Sequence, residues 1–206
     1  MKTCFIFGAL PALYTPILPQ KGDLVIAADR GYLRLEEKGI TPDILVADFD
    51  SMKEDPLFEN TVRLNVRKDF TDVACAVDIG FEKGYDQFVV YGGAGGKLDH
   101  SLANVQLCQD ILRRGGEAVF YGDNESFTVI RSSFHFEKRD QGRLSVFSVT
   151  DQCEGVRISG ASYEADGITL YRNQSPTLGV SNAFVNKEVS ISVESGELLI
   201  IWETIC

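Results

Sequence analysis

The sequence predicts an α/β protein with a mostly parallel, doubly wound sheet in its N-terminal half and an antiparallel β-sandwich or barrel in its C-terminal half. Up to about residue 114, short apolar runs alternate with helical stretches, which is typical of a parallel sheet. After about residue 123 the helical period disappears, and short strands alternate with turn residues. We therefore expect an α/β domain over residues 1–123 and a β-rich domain over residues 124–206.

The N-terminal half contains six apolar runs that favour strands. They lie at residues 4–7, 24–28, 44–47, 62–66, 88–91 and 118–121. Helices are predicted at residues 31–39, from Thr71 as N-cap toward Gly84, and from about His100 to Arg114. The third helix is expected to bury a stripe formed by Leu102, Val105, Cys108 and Leu112.

The C-terminal half contains six further strand candidates. They lie at residues 127–130, 144–149, 156–158, 168–171, 189–193 and 198–202. Ser195-Gly196 separates the last two runs and has the composition of a hairpin turn. The sequence therefore predicts that the last two strands pair with each other.

Composition excludes several classes of function. Twenty basic against thirty acidic side chains in 206 residues give a net charge of −10, which argues against nucleic acid and anionic membranes as partners. No apolar run approaches the length of a membrane span, so we expect a cytoplasmic protein. Five cysteines without CxxC spacing and two histidines favour neither a zinc site nor a disulfide framework. The absence of a GxSxG motif makes acyl transfer an unfavoured reaction.

Five aspartates fall at predicted strand-to-helix junctions. Asp29 follows the run LVIAA, and Asp48 and Asp50 follow ILVA, at the strand ends where open α/β sheets bind ligands. In an extended segment, the i, i+2 spacing puts Asp48 and Asp50 on one side, where a hard cation offsets their repulsion. Asp72 and Asp99 begin helices, where the helix dipole alone also favours an acid. Turn-favouring aspartates are the alternative reading, and convergence on one sheet edge favours a metal site.

The glycine-rich run at residues 92–96 is a candidate phosphate-binding turn. It is not a P-loop, because Leu98 stands where Ser or Thr is required after Gly96-Lys97. A dinucleotide-binding fingerprint that starts at Gly93 would need glycine or alanine at position 98, where this chain has Leu98. A glycine turn that enters a helix still exposes backbone N–H groups to phosphate, and Lys97 adds a positive charge.

These motifs together resemble the thiamine pyrophosphokinase family. The matching segments run in order along most of the chain: residues 28–31, Pro42-Asp43, the ADFDS segment at 47–51, residues 69–72, the GGKLDHSLAN segment at 95–104, and residues 180–182. The resemblance implies an ATP-binding α/β domain, a thiamine-binding β-rich domain and a homodimer. It also implies Mg²⁺-dependent transfer of a pyrophosphoryl group from ATP to thiamine, with AMP released.

The resemblance also implies roles for individual residues. The magnesium carboxylates are expected to be Asp48, Asp50 and Asp72. The base that accepts the thiamine proton is not assigned by the sequence, and Asp72 and Asp99 are the two candidates. The nucleotide site is expected to include Asp29, Asp69, Thr71, Lys97, Asp99 and Asn104. Ser181 and Asn182 match the segment that contacts thiamine. Independently of the resemblance, Tyr163 and Trp202 are candidate aromatic contacts for the thiazolium, with packing in the core as the favoured alternative for each.

Several positions depart from the family pattern. Arg30 replaces the first glycine of Asp-Gly-Gly, Lys97 stands where arginine is common, and Ala47 and Ala74 replace glycine and glutamate. Residues 160–163 only partly match the Gly-Leu-Lys-aromatic segment. Two alternatives follow: a metal-dependent phosphoesterase, which Asp99-His100 superficially suggests, and a noncatalytic protein that senses nucleotide or thiamine.

Overall fold

The structure is a computed structural model that describes residues 2–47, 61–63 and 70–205. The chain divides into two compact units, Met1–Asp123 and Asn124–Cys206. The first unit combines helices with parallel strands, and the second consists of antiparallel strands. This is the predicted fold class.

The first unit contains strands and helices close to the predicted ones. Its strands in the described ranges are β1 (Thr3–Phe7), β2 (Leu24–Ala28), β3 (Ile44–Ala47), β4 (Thr61–Arg63), β5 (Gln87–Tyr91) and β6 (Glu117–Tyr121). Its helices there are α1 (Gly31–Glu37), α2 (Asp72–Glu82) and α3 (Leu98–Arg113). Residues 64–66 of the predicted fourth strand lie outside the described residues.

The strands of the first unit form a parallel sheet in the order β4-β3-β2-β1-β5-β6. The chain builds outward from β1 to β4 and then places β5 on the other side of β1. Strand order therefore reverses between β1 and β5. In open α/β sheets the ligand crevice lies outside the carboxyl ends of the strands at such a reversal.

Apolar burial explains why these segments form central strands. All five residues of β2 and all four of β3 are buried, as expected for strands that are covered on both faces. Phe5, Phe7, Val25, Leu45 and Tyr91 belong to one core cluster. The carboxyl ends of the strands are therefore fixed by a packed core.

Helix α3 corrects the predicted apolar stripe. The helix begins at Leu98 rather than His100, and its buried residues are Cys108 and Ile111, whereas Leu102 is 57% exposed. At 3.6 residues per turn, the buried face continues toward the N-terminus through Asn104 and not through Leu102. The polar side chain of Asn104 is accommodated on this face because it is hydrogen-bonded to the glycine-rich turn.

The second unit contains two antiparallel sheets, as in a β-sandwich. Its strands are β7 (Glu125–Ile130), β8 (Ser133–Arg139), β9 (Arg143–Ser148), β10 (Gln152–Ser159), β11 (Ala165–Tyr171), β12 (Asn182–Ala183), β13 (Lys187–Ser192) and β14 (Leu198–Glu203). One sheet has the order β12-β9-β14-β7 and the other β11-β10-β13-β8. Strands β8 and β12 were not predicted.

The hairpin predicted at Ser195-Gly196 is wrong. Strand β13 pairs with β8 and β10, whereas β14 pairs with β7 and β9. The turn therefore carries the chain from one sheet of the second unit to the other. Ser195 forms a bridge with Glu154, and a Cβ on Gly196 would lie 2.5 Å from the Gln152 carbonyl oxygen. The glycine is required by this close approach.

Of the cysteines in the described ranges, Cys4, Cys108 and Cys153 are buried and Cys75 is half-buried. Burial raises the pKa of Cys4 to about 12, and the charge of Asp43 adds to the effect.

Within the described ranges, no helix combines the length and apolar character that crossing a bilayer requires.

Candidate active site

A cavity of about 260 Å³ lies in the first unit, outside the carboxyl ends of β1, β2 and β5. It occupies the strand-order reversal, where a ligand site belongs. Its lining includes five of the predicted site residues: Asp29, Thr71, Asp72, Lys97 and Asn104. His100 and Gly95 also face it, together with Ala9 and Leu10 from the segment that follows β1.

Asp29 enters the cavity from the end of β2 with a left-handed backbone, φ 53°. Its N–H donates to the Val46 carbonyl at 2.8 Å, which continues the β2–β3 ladder by one residue. A non-glycine residue in this region is uncommon, and such conformations concentrate at functional sites. The backbone strain is thus located at a predicted site carboxylate.

The turn after Asp29 explains why Arg30 can replace a glycine. Arg30 has φ −70°, which any L-residue adopts, and it precedes α1 as the N-cap. The next residue, Gly31, cannot be replaced by a residue with a side chain, because a Cβ there would lie 1.7 Å from the Phe7 carbonyl oxygen. Only the second glycine of the Asp-Gly-Gly pattern is required by packing in this chain.

Thr71 and Asp72 enter the cavity at the start of α2. Thr71 has the extended backbone of an N-cap, and its hydroxyl accepts a hydrogen bond from the Ala74 N–H at 3.2 Å. This cap is the predicted one, and it directs the first turn of α2 toward the cavity. Asp72 occupies the first helical position, where the positive end of the helix dipole stabilises a carboxylate.

The glycine-rich turn is fixed from two sides. Gly92 has φ 67°, and a Cβ on it would lie 2.7 Å from the Leu10 carbonyl oxygen. On the other side, the Asn104 amide donates to the Gly93 carbonyl at 2.7 Å, and the Ser101 hydroxyl donates to the Gly95 carbonyl at 3.0 Å. Gly95 itself has φ 92° with open space where a Cβ would stand. The turn is therefore held rigidly while its tip remains accessible.

The start of α3 brings Lys97 and His100 to the cavity and leaves Asp99 off its lining. Lys97 is the N-cap residue, and its side chain does not cap the helix. Asp99 is exposed, and its carboxylate accepts from the His100 backbone N–H at 2.9 Å. Of the two candidate catalytic residues, Asp72 therefore lines the cavity and Asp99 does not.

Three predicted site residues, Asp48, Asp50 and Asp69, lie outside the described residues. Within the described part of the chain, no group of three or more Asp, Glu, His or Cys side chains converges as a metal site would require. Of the three predicted magnesium ligands, the structure describes Asp72.

The second unit contains a cavity of about 200 Å³ that includes Ser181 and Trp202 in its lining. Ser181 has a left-handed backbone with φ 61°, and its N–H donates to the Ser145 hydroxyl at 3.1 Å. Glu203 and Arg143 form an ion pair at 2.6 Å across this lining, and the hydrogen bond from Arg143 lowers the pKa of Glu203. Trp202 is almost fully buried.

The side chain of Asn182, the second residue predicted to contact thiamine, is hydrogen-bonded to the protein backbone. Its side chain is buried; the amide oxygen accepts from the Tyr163 N–H at 2.9 Å and the amide nitrogen donates to the Tyr163 carbonyl at 2.7 Å. The same oxygen accepts from the Ala183 N–H. Asn182 thus holds the backbone of Tyr163, whose side chain is 72% exposed.

Sequence reasoning missed two features of the first cavity. Residues 9 and 10 carry no polar side chain, and their contribution follows only from the packing of Leu10 on the glycine turn. Ser101 lies one helical turn after Lys97, a spacing that could have identified it as a second group aimed back at the turn.

The fold and the cavity define a class of protein: an α/β unit with a nucleotide-type crevice, joined in sequence to a β-sandwich unit. Residues 16–120 match the sequence model of "Thiamin pyrophosphokinase, catalytic domain", and residues 131–198 match that of "Thiamin pyrophosphokinase, vitamin B1 binding domain". The chain belongs to the thiamin pyrophosphokinase family and is an enzyme of the kinase class.

Individual relatives agree with the two domain matches. The chain is 26% identical to the thiamine pyrophosphokinase of Bacillus subtilis strain 168, over 99% of this chain and 100% of the relative. A crystal structure of thiamine pyrophosphokinase from Bacillus subtilis is similar, with a TM-score of 0.84, 24% identity and full coverage of both chains. A crystal structure of a thiamin pyrophosphokinase family protein from Enterococcus faecalis has a TM-score of 0.80 at 22% identity, again with full coverage of both chains.

Proposed function

We propose that this chain transfers the pyrophosphoryl group of ATP to the hydroxyl of thiamine, which yields thiamine diphosphate and AMP. One observation carries the proposal: a single cavity at the strand-order reversal combines two carboxylates, a lysine and a glycine-rich turn that enters a helix. Such groups suit the binding of a polyphosphate, and the family assignment supports thiamine as the acceptor.

The glycine-rich turn and α3 bind the phosphates in this proposal. Backbone N–H groups at a glycine turn and at the start of a 16-residue helix favour anions. Lys97 places a positive charge at the same point. A lysine ammonium neutralises phosphate charge, but it does not form the bidentate hydrogen bonds by which an arginine orients a phosphate.

The carboxylates fit a magnesium ion. Asp29 and Asp72 both line the cavity, and carboxylate oxygens are the ligands that Mg²⁺ prefers. We assign Asp72 to the metal together with Asp48 and Asp50, and Asp29 and Asp69 to its surroundings. A bound Mg²⁺ supplies neutralisation of phosphate charge in such reactions.

The reaction exchanges one phosphorus–oxygen bond for another. The thiamine hydroxyl oxygen bonds to the β-phosphorus, the bond from the β-phosphorus to the bridging oxygen of AMP breaks, and the hydroxyl proton passes to a base. Positioning and electrostatics account for most of the catalysis in phosphoryl transfer. The rigidly held glycine turn and the capped start of α2 are the groups of this chain that position the phosphates.

The second-unit cavity is the proposed thiamine site. Two glutamates and one arginine line it, so its formal charge is negative, which suits a cationic thiazolium. Ser181 would contact the vitamin directly, whereas Asn182 would act through the backbone of Tyr163. The exposed Tyr163 ring offers a face for a cation–π contact.

Product analysis tests the proposal. The protein is incubated with thiamine and Mg-ATP, and the products are separated by chromatography. Thiamine diphosphate and AMP in equal amounts support it. Phosphate release without thiamine would indicate a phosphoesterase, and ligand binding without turnover would indicate a sensor.

The aspartates at the two helix starts form a matched pair of variants. Asp72→Asn should lower kcat on the order of 100-fold, because it removes a charge that lines the cavity. Asp99→Asn removes the same charge from the first turn of α3, off the cavity lining, and should cost less than about 5-fold, an effect of the helix dipole alone. Equal losses in both variants would place Asp99 in the catalytic machinery.

We also propose that the protein is a homodimer, as the family resemblance implies. Light scattering on the purified full-length chain should give twice the mass of one chain. A monomeric mass at the concentration of the activity assay would contradict the proposal.

A further inference from the structure

Tyr91 is a buried tyrosine that the proposed chemistry does not use. It is the last residue of β5, immediately before the glycine-rich turn, and it is fully buried. Its ring packs against Phe7 with centroids 4.9 Å apart and stacks on Tyr121 at 5.3 Å. Apolar packing alone would be served equally well by phenylalanine, so the hydroxyl needs its own explanation.

The hydroxyl of Tyr91 is bonded to a distant part of the backbone. It accepts from the Ile17 N–H at 3.1 Å and donates to the Ile17 carbonyl. Ile17 belongs to the segment of residues 9–20 that joins β1 to β2 and contains no helix or strand. Burial raises the pKa of Tyr91 far above neutrality, so the hydroxyl remains a donor at every pH at which the protein is assayed.

The anchored segment forms one wall of the nucleotide cavity. Ala9 and Leu10, at its start, line the cavity. Leu10 also packs on the glycine-rich turn, because a Cβ on Gly96 would lie 3.0 Å from a Leu10 side-chain carbon. Tyr91 thus directly precedes the glycine-rich turn, and its hydroxyl is bonded to the segment whose first residues form this wall.

Two other side-chain hydrogen bonds to the backbone of the segment are exposed and therefore weaker constraints. The Leu13 N–H donates to the Asp123 carboxylate in an exposed position, and the Gln20 N–H donates to Asp23, also exposed. Both bonds compete with water, whereas the Tyr91 hydroxyl is shielded. Of these side-chain hydrogen bonds to the backbone of the segment, the shielded ones are those of Tyr91. The segment also packs on the first unit through the buried Ala12, which belongs to the same core cluster as Tyr91, and through the Tyr14 ring, which contacts Tyr121.

We propose that the Tyr91 hydroxyl is a positioning group for nucleotide binding, which holds residues 9–20 so that Ala9 and Leu10 close one wall of the cavity against the glycine-rich turn. This inference rests on the proposed function, because it assigns the cavity to the nucleotide. It concerns the KM for Mg-ATP and not the chemical step, since the hydroxyl is buried behind the wall that it supports.

The test compares Tyr91→Phe with Tyr85→Phe in the full-length protein. Tyr85 is the matched control, because its hydroxyl also donates to a loop carbonyl, that of Gly22, but away from the cavity. Tyr91→Phe should raise the KM for Mg-ATP about 3- to 10-fold, as expected from the loss of buried hydrogen bonds, while kcat and the KM for thiamine change less than about twofold. Tyr85→Phe should leave all three unchanged.

A second variant guards against a folding defect in Tyr91→Phe. Ile17→Pro removes the N–H that donates to Tyr91 at a half-exposed position outside the core, and it should raise the KM for Mg-ATP in the same direction. Amide hydrogen exchange over residues 9–20 should accelerate in both variants. An unchanged KM in both, or an equal rise in Tyr85→Phe, overturns the inference.

Calorimetric titration with Mg-ATP separates this inference from the proposed function. If wild-type protein binds ATP but forms no AMP, the proposed function fails, and weaker binding by Tyr91→Phe still supports the positioning role. If wild-type protein is active and Tyr91→Phe binds and reacts as wild type, the inference fails alone. Wild-type protein that binds no ATP overturns both.

Discussion

Replacing Ser181 by glycine separates the cost of its backbone from the role of its side chain. Ser181 has φ 61°, in the left-handed region, which costs an L-residue roughly 1–2 kcal/mol. Glycine avoids that cost but loses about 0.5–1 kcal/mol more backbone entropy on folding. With the middle of each range, Ser181→Gly should therefore raise the free energy of unfolding by about 0.75 kcal/mol. For a chain of this length the melting temperature should rise by roughly 1–4 °C.

Two further variants isolate the cause of this gain. Ser181→Ala also removes the hydroxyl but keeps the left-handed backbone, so it should not be stabilised. Ser175→Gly is the matched control, because Ser175 is a second left-handed serine of the same unit, exposed and off the cavity lining. It should show a gain similar to that of Ser181→Gly. Thermal and urea unfolding curves measure all three variants.

The function of Ser181 is tested on the same proteins. Both Ser181 variants should raise the KM for thiamine about 2- to 10-fold, as expected for one lost hydrogen bond, whereas Ser175→Gly should not. The reasoning about strain is refuted if Ser181→Gly is no more stable than Ser181→Ala. The assignment of Ser181 to thiamine is refuted if the KM is unchanged.

Three other predictions follow from the described contacts. Gly31→Ala should destabilise the protein by several kcal/mol or prevent folding, because its Cβ would lie 1.7 Å from a carbonyl oxygen of β1. Arg30→Gly should change the free energy of unfolding by less than about 1 kcal/mol. Urea unfolding measures both variants. Asn182→Ala should raise the KM for thiamine with little change in the KM for ATP, because it releases the backbone of Tyr163; steady-state kinetics measure this split. Cys4 should resist iodoacetamide up to about pH 10, because burial raises its pKa to about 12 and so disfavours the reactive thiolate; peptide mass spectrometry measures the labelling.

Each of these predictions has a contradicting outcome. A folded Gly31→Ala protein of wild-type stability would mean that α1 does not pack on β1 as described. Equal effects of Asn182→Ala on both substrates would indicate general damage to the fold. Rapid labelling of Cys4 in native protein at pH 9 would show that its strand opens readily.

The parallel half of the fold was predictable because its signals are local. Strands β2 and β3 are uninterrupted apolar runs of the kind that parallel sheets bury, and Thr71 is a sequence-evident N-cap that the structure confirms. The polar groups that follow these elements could then be placed at one edge of the sheet from chain direction alone. Asp29 and Asp72 line one cavity for this reason.

The errors arose where pairing or packing is non-local. The composition of Ser195-Gly196 is equally compatible with a hairpin and with a crossover between sheets, and only the partners of β13 and β14 distinguish them. The hydrogen bonds of Asn182 to a backbone 19 residues away also have no local signal in the sequence, and its contact with thiamine stays a prediction. Leu102 was predicted to be buried because it is apolar. The buried face of α3 instead passes through the polar Asn104, whose hydrogen bond to the glycine-rich turn has no signal in the local sequence.

The bond between Tyr91 and Ile17 also bears on when the cavity of the first unit can assemble during folding. Its partners are 74 residues apart in the chain, so the N-terminal segment leaves the ribosome long before its anchor is synthesised. Closing so long a loop carries a large entropic cost until β5 has paired with β1. Residues 9–20 should therefore acquire protection from proteases late in folding, and a chain truncated before β5 should remain cleavable there.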